Sequence, residues 1–408
     1  MHIVVLTGYY YPYLLPPVGC IKPYLLELAK EHEVEVLCPP SNIHFTESIV
    51  REGIKINYIN SLSNTILAYI KTNQDEHKLP HFTKLCFTMY RGLRYLKSLV
   101  TKNPYETSLI GPYIKTLQTI HSENKIDVML SVSFPFHTHV AALNFKKLYP
   151  DVRWISYSTD PLAYSESNPI EKWKRKEAIT IEKAIYDNSD RCIISEELFS
   201  NLTQNFHISE KKILKLPYLL FDKIEDHSIK DRKKPMILYA GYVFYTVRNP
   251  KIMLSVFSKI KDIELHLYIS GDRQCRALLD HPLPKHIIKK GLVPHEKYVE
   301  LLKQADILVN LSNKAHLQAP HKLMELISTG KPIINFYYYE DSGYDMINKY
   351  PLGINISNDW NEKYMVESIE HFVADNCHKR VSHEEIKQLY SEHLLENQLP
   401  RFKEVILK

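Results

Sequence analysis

Short β-branched runs alternate with stretches of helical length along this 408-residue chain. That alternation leaves few folds open, because strands in such an order pair in parallel and helices cover the sheet they form. In the first half, strands are expected over residues 3–6, 34–38, 126–132, 153–157, 191–195 and 213–216. Helices fall between them, as over 21–32, where Ile21, Tyr24, Leu25 and Leu28 share one face. The rhythm stops at the polar stretch 222–234, which ends at Pro235 and suits a linker. It restarts with strands expected over 236–240, 264–269, 307–310 and 332–336 and helices near 250–260, 296–304 and 322–329. The chain is too long for one ordinary core. The expectation is therefore an α/β protein of two parallel-sheet domains, 1–221 and 236–385, with linker 222–235 and a C-terminal helix, 386–408, that packs back on the first domain.

Composition excludes several function classes. Lys and Arg number 52 against 47 Asp and Glu, a formal net charge of +5. With no basic cluster on a nucleic-acid module, that modest excess gives no reason to expect nucleic acid as a partner. No apolar run approaches the roughly 18 residues of a membrane span. The opening M-H-I-V-V-L-T runs on into tyrosines and prolines without a basic n-region or small-residue cleavage site, so it reads as a first strand of a cytoplasmic protein. The six cysteines, Cys20, Cys38, Cys86, Cys192, Cys275 and Cys377, are scattered, with no zinc-ligand spacing, and read as reduced core residues.

Ligands in such folds bind beyond the carboxyl ends of the strands, so the chemistry should follow them. The strand at 236–240 ends in Gly241 and is followed by Y-V-F-Y-T-V-R-N-P. Asn249 suits a helix N-cap with Pro250 at the first helical position, leaving free N–H groups at an anion-binding helix end. Arg248 stands beside it, and its guanidinium can take phosphate oxygens in pairs or be an ordinary surface arginine. Further on, Q-A-P-H-K-L-M-E-L-I-S-T-G-K-P-I-I (318–334) reads as a loop and a helix stopped by Gly330. Lys322 and Glu325, three apart, share a face. The carboxylate can hold ribose hydroxyls and the lysine a phosphate, or the two can be an exposed ion pair.

In the first half, S-F-P-F-H-T-H (133–139) and S-T-D-P (158–161) each follow a strand. His137 and Asp160 can orient a hydroxyl or take its proton, or serve as a cap or a core-edge group. Residues 81–102 contain no acid. On a helix, Phe82, Leu85, Met89, Leu93, Leu96 and Val100 make one stripe and Lys84, Arg91, Arg94 and Lys97 another face. Such a helix can lie on an anionic membrane, or cover a core with its basic face solvated.

Several segments in order, I-S-G-D (269–272), G-L-V-P-H-E-K-Y (291–298), A-D-I-L-V-N (305–310) and K-L-M-E-L-I-S-T-G-K-P-I-I (322–334), resemble the GT-B glycosyltransferases, specifically the retaining family 4-like group. Y-Y-Y-P (9–12), Gly19 and L-L-E-L-A-K (25–30) are similar to that group's opening strand, loop and helix. The resemblance implies two Rossmann-like domains facing across a cleft, with the donor, a nucleoside diphosphate sugar, held by the second. Implied donor contacts are Gly19, Gly241, Arg248, Asp272, Val293, Gln318, Lys322 and Glu325. His137 and Asp160 would act on a glycan or lipid-linked glycan acceptor, without a metal or other cofactor. Glu325 matches the second glutamate of the group's paired-glutamate motif, but Leu317 stands where the first should be. The implied reaction is retaining glycosyl transfer in cell-surface polysaccharide synthesis, close to the cytoplasmic face of a membrane. A sugar-nucleotide epimerase of the same fold and a non-catalytic scaffold subunit, the latter favoured by Leu317, stay open as alternatives.

Overall fold

His2–Leu6 opens the fold as β1, and every one of its five residues is buried, as a strand requires when helices cover both faces of its sheet. The computed structural model describes residues 1–11, 16–41, 47–61, 88, 89, 92, 101, 103–166, 170–228, 232–317 and 321–408. Apart from residues 88, 89, 92 and 101, the basic stretch 81–102 lies outside the described residues. The chain divides into two units, Met1–Pro217 with Gln398–Lys408, and Tyr218–Asn397.

In the first unit β1 is followed by α1 (Pro16–Ala29), β2 (Glu33–Cys38), β3 (Ile49–Arg51), β4 (Ile54–Tyr58), α2 (Ile110–Glu123), β5 (Val128–Ser133) and α3 (His137–Leu148). Then come β6 (Arg153–Ser158), α4 (Arg175–Asn188), β7 (Arg191–Ile194) and β8 (Ile213–Lys215). The sheet has the order β3-β4-β2-β1-β5-β6-β7-β8 and is parallel except where β3 turns back on β4. Strand order reverses between β1 and β5, which makes their carboxyl ends the switch point of this unit. A polar group is sealed beneath that edge. The His139 ring, fully buried, has Nδ1 2.7 Å from Ser131 Oγ and Nε2 3.0 Å from Ser158 Oγ. Trp154 Nε1 donates to the same Ser131 oxygen at 2.9 Å, so β5, α3 and β6 are tied together. The end of the chain belongs to this unit: the Phe402 ring lies 4.6 Å from that of Tyr24 on α1, and Arg153 donates to the Val405 carbonyl at 2.9 Å.

The second unit contains β9 (Met236–Val243), α5 (Lys251–Phe257), β10 (Glu264–Gly271), α6 (Arg273–Leu279), β11 (Ile287–Lys290), α7 (His295–Gln304) and β12 (Ile307–Leu311). It continues with α8 (His321–Ile327), β13 (Ile333–Tyr337), α9 (Ser342–Lys349), β14 (Gly353–Ser357) and α10 (Glu362–Asn376). Its six strands are ordered β11-β10-β9-β12-β13-β14, and every pair is parallel. The two-residue period of β9 builds a core on each face. Ile237 and Tyr239 join Phe257, Leu265 and Phe336 on one side, while Met236, Leu238 and Ala240 join Leu301, Leu323 and Ile327 on the other. The sheets thus have the two-domain parallel α/β architecture expected from the sequence. β3, β4, β11 and β14 escaped that reading because they are short or partly solvated, as in the half-exposed I-I-K-K of β11.

Two details fix the second unit's local geometry. Gly330 closes the turn after α8 at φ +70°, and a Cβ there would stand 2.4 Å from the Val381 carbonyl oxygen, so no larger residue fits without backbone movement. The polar stretch before β9 lies in this unit and is fastened to it. Lys331, 0% exposed, places Nζ 2.7 Å from Asp226 Oδ1 and donates to the Lys303 carbonyl at 2.6 Å, while Arg380 Nε donates to Asp226 Oδ2 at 2.7 Å. Burial alone would raise the Asp226 carboxyl, but hydrogen bonds from Lys331 and Arg380 outweigh it and hold the group well below the usual carboxylate range. Among the described residues, no helix is long and apolar enough to cross a membrane.

Candidate functional site

The strand order of the second unit reverses between β9 and β12, and the loops leaving those two strands meet at their carboxyl ends. Near the end of β9, Gly241 lies at φ +154°, where a Cβ would sit 3.4 Å from Lys322 Nζ. The chain then folds back on itself, with Phe244 N donating to Arg248 O at 3.2 Å and Arg248 N to Phe244 O at 2.8 Å. Asp272 braces this hairpin: its carboxylate accepts from Cys275 N at 2.8 Å, capping α6, and from Tyr245 N at 2.8 Å. Arg248, half-buried, reaches across the switch point and donates from Nε to Asn313 Oδ1 at 3.0 Å. Asn249 Oδ1 accepts from Lys251 N at 2.9 Å, which satisfies one open N–H at the start of α5.

From the β12 side, α8 brings in Lys322 and Glu325. Lys322 Nζ donates to the Ala240 carbonyl and lies 4.5 Å from the centroid of the Tyr298 ring, a cation–π distance. Burial pushes its pKa down to about 8, with Glu325 opposing the shift and Arg248 adding to it. Glu325 is buried, and burial raises its pKa while the charges of Lys322 and His295 pull it back. The structure therefore gathers Gly241, Arg248, Lys322 and Glu325 at one switch point, with Tyr239, Asn313, Tyr298 and His295 around them. Two cations beside one buried carboxylate can bind an anionic group and a pair of hydroxyls together. Sequence reasoning missed Asn313 and Tyr298. Tyr298 stands in the G-L-V-P-H-E-K-Y segment, and its place as the first inward position of α7 was the available signal.

The remaining candidates lie elsewhere. Val293 is half-buried before α7, packed on the Leu301 side of the core. Gln318 lies outside the described residues, and Leu317 just before it is half-buried. Gly19 is half-buried within α1. His137, the first residue of α3, is 5% exposed, and burial lowers its pKa to about 4, so the imidazole is neutral at physiological pH. Asp160, half-buried after β6, accepts from Thr159 Oγ1 at 3.0 Å. The loop that carries Asp160 is held by a residue the sequence did not reveal. Glu182 of α4 is fully buried and accepts from Leu162 N at 3.1 Å and Ala163 N at 2.7 Å. Burial raises its pKa to about 7, against the pull of those hydrogen bonds. His137 and Asp160 follow adjacent strands of the first sheet, and the nucleotide-type groups follow strands of the second. The five cysteines among the described residues, Cys20, Cys38, Cys192, Cys275 and Cys377, are buried and none is in a disulfide.

Residues 221–390 match the family model described as glycosyl transferases group 1. No curated protein matches the chain by sequence. Solved structures share the fold of the whole chain. A sucrose-phosphate synthase from Thermosynechococcus elongatus has a TM-score of 0.65 at 10% identity, covering 99% of this chain and 98% of that one. The lipopolysaccharide outer core galactosyltransferase WaaB has 0.60 at 14%, covering 100% and 99%. Anabaena Alr3699/HepE, solved in complex with UDP, has 0.61 at 9%, covering 99% of each.

Proposed function

We propose that this chain, a glycosyltransferase of the GT-B fold whose second unit is a group 1 domain, moves a sugar from a nucleoside diphosphate sugar to a hydroxyl of a glycan or lipid-linked glycan. The observation that carries the donor assignment is the convergence of Arg248, Lys322 and Glu325 where β9 and β12 part. Glu325 would accept from the ribose hydroxyls. Arg248, held by Asn313, would meet the diphosphate with its remaining N–H groups. Lys322 would exchange the Ala240 carbonyl for a phosphate oxygen. As the sugar leaves, negative charge grows on the diphosphate, and cations already oriented toward it lower the barrier.

Acceptor chemistry is assigned to the first unit. The neutral His137, after β5, and Asp160, after the neighbouring β6, would orient the attacking hydroxyl or receive its proton. Retention at the anomeric carbon, catalysis without a bound metal, a role in cell-surface polysaccharide synthesis and work at the cytoplasmic face of a membrane complete the reading. That UDP is bound in the similar Anabaena structure supports a nucleotide-diphosphate donor. Membrane contact through residues 81–102 would appear as co-sedimentation with anionic vesicles that declines with added salt.

The test is calorimetry of UDP, ADP and GDP against the parent chain and the Arg248→Ala and Glu325→Gln variants, followed by incubation with the matching nucleotide sugars. Binding lost in both folded variants supports the donor site, and binding unchanged in both removes it. Leu317, at the place of the first motif glutamate, favours a second reading as a scaffold subunit. Nucleotide-sugar turnover with any glycan acceptor would exclude that reading.

A further inference from the structure

At the amino end of the first sheet, away from the loops described above, β1 and β2 bring three ligand-type side chains together. Their parallel register pairs His2 with Glu33, and the two-residue period places Glu33 and Glu35 on the same face. His2 is 4% exposed and Glu35 3%, whereas Glu33 is open to solvent. His2 Nδ1 lies 3.3 Å from the Asn124 carbonyl oxygen, which can only accept, so Nδ1 carries the hydrogen. That leaves Nε2 as a lone pair. It is buried without a hydrogen bond and faces Glu35 Oε1 at 3.5 Å, a second lone-pair donor. Lys55 meets the Glu35 oxygen from one side, whereas Nε2 has no donor, and two such atoms turned toward each other in a buried place call for an electrophile between them, either a proton or a cation.

The second carboxylate, Glu33, separates the two cases. A proton on Nε2 would satisfy the His2–Glu35 contact but would not draw on Glu33, which Asn124 Nδ2 holds beside the same pair. One ligand atom each from His2, Glu33 and Glu35 lies within 4.8 Å of the others, the one such group among the described residues. The surroundings resemble an outer coordination shell. A backbone carbonyl fixes the imidazole tautomer, Asn57 Nδ2 donates to Glu35 Oε2 at 2.7 Å, and Asn124 Nδ2 donates to Glu33 Oε2 at 2.9 Å. Lys55, which donates to Glu35 Oε1 at 2.9 Å, competes for that oxygen, but its side chain is 48% exposed and can turn into water.

We propose that His2 Nε2, Glu33 and Glu35 bind a divalent cation of the zinc type, with water on the solvent side completing its coordination. One imidazole with two carboxylates suits Zn²⁺ or Co²⁺ better than the all-oxygen preference of Ca²⁺ or Mg²⁺. The ion would clamp the starts of β1 and β2, independently of glycosyl transfer.

The experiment is titration of the untagged full-length chain with Zn²⁺ by calorimetry and with Co²⁺ by visible absorption. The expected result is one tight equivalent. Glu33→Gln, an exposed and structurally mild change, and His2→Ala should each weaken it at least tenfold. Lys55→Met should tighten it several-fold by removing the competing ammonium. Zn²⁺ binding equally tight in Glu33→Gln and in the parent would overturn the proposal, since ions held by other surface histidines would persist there. Absence of any tight equivalent in both the parent and Lys55→Met would also overturn it, leaving a His2–Glu35 ion pair bridged by a proton.

Discussion

Arg248 Nε donates to Asn313 Oδ1 across 3.0 Å and so joins the loop after β9 to the loop after β12. An arginine held from a second loop has lost most of its rotamer freedom before any ligand arrives, which favours binding of an anion there. Arg248→Ala should weaken nucleoside diphosphate binding by about 1.5–3 kcal/mol, the range for hydrogen bonds to charged groups. Asn313→Ala should weaken it less, because it removes only the support. Calorimetry of both variants checks the order, and an Asn313→Ala effect as large as that of Arg248→Ala would give Asn313 its own ligand contact.

Lys322 makes the same site sensitive to alkaline pH. Its folded pKa, about 8, lies below its ordinary 10.5. The charge that would meet a phosphate is therefore lost as pH rises through 8, and nucleotide affinity should fall there in the parent but not in Lys322→Met. Stability moves the other way. Between about 8 and 10.5 the unfolded chain binds the extra proton, so this lysine's contribution to stability improves as pH rises through that window. Lys331, also lowered to about 8 by burial, adds to the same trend. Binding and denaturant midpoints measured from pH 7 to 10 should diverge accordingly.

Above the range in which Asp226 titrates, acid should act through two buried histidines of the first unit. Burial lowers His137 to about 4 and His139 to about 3, against an ordinary 6.5. As pH falls below 6.5 the unfolded state takes up protons that the folded state refuses, so stability declines until about pH 3. His139→Asn should flatten this acid limb in urea denaturation profiles while lowering stability at pH 7, because it also breaks the Ser131–Ser158 bridge.

His137→Ala and Asp160→Asn should lower turnover roughly a hundredfold or more if one of them takes the acceptor proton. Nucleotide affinity should stay nearly unchanged, since both residues follow strands of the first sheet. Single-turnover kinetics with saturating donor would show this, and a tenfold or smaller change in both would assign them to packing.

Gly330→Ala should destabilise the second unit by about 1–3 kcal/mol, from positive φ and from a Cβ 2.4 Å from the Val381 carbonyl. A shift in the denaturation midpoint of the chain with nucleotide bound and without it would measure this.

The strands that position the site were legible because runs such as H-I-V-V-L and I-L-V-N-L are buried on both sides and carry their own signal. Lys331 and Glu182 were not, since nothing local marks a lysine in T-G-K-P or a glutamate in I-T-I-E-K-A as fully buried. Their partners, Asp226 and the Leu162–Ala163 amides, are distant in sequence. Lys322 and Glu325 could be placed on one helix face by spacing, but not the Tyr298 ring under the lysine. The S-F-P-F-H-T-H segment singled out His137, whereas the histidine with both ring nitrogens engaged is His139.

The strand order of the second unit also sets a schedule for the ribosome. β9 is made first and sits at the centre, with β10 on one edge and β12 on the other. β12 begins more than sixty residues after β9 ends, so at ~5–20 residues per second that edge waits on the order of 3–13 s for its neighbour. During that interval an apolar strand has half its backbone groups unpaired, the condition that invites association with another nascent chain. Fragments ending after β11 should therefore be insoluble, and those that include β12 and β13 should recover.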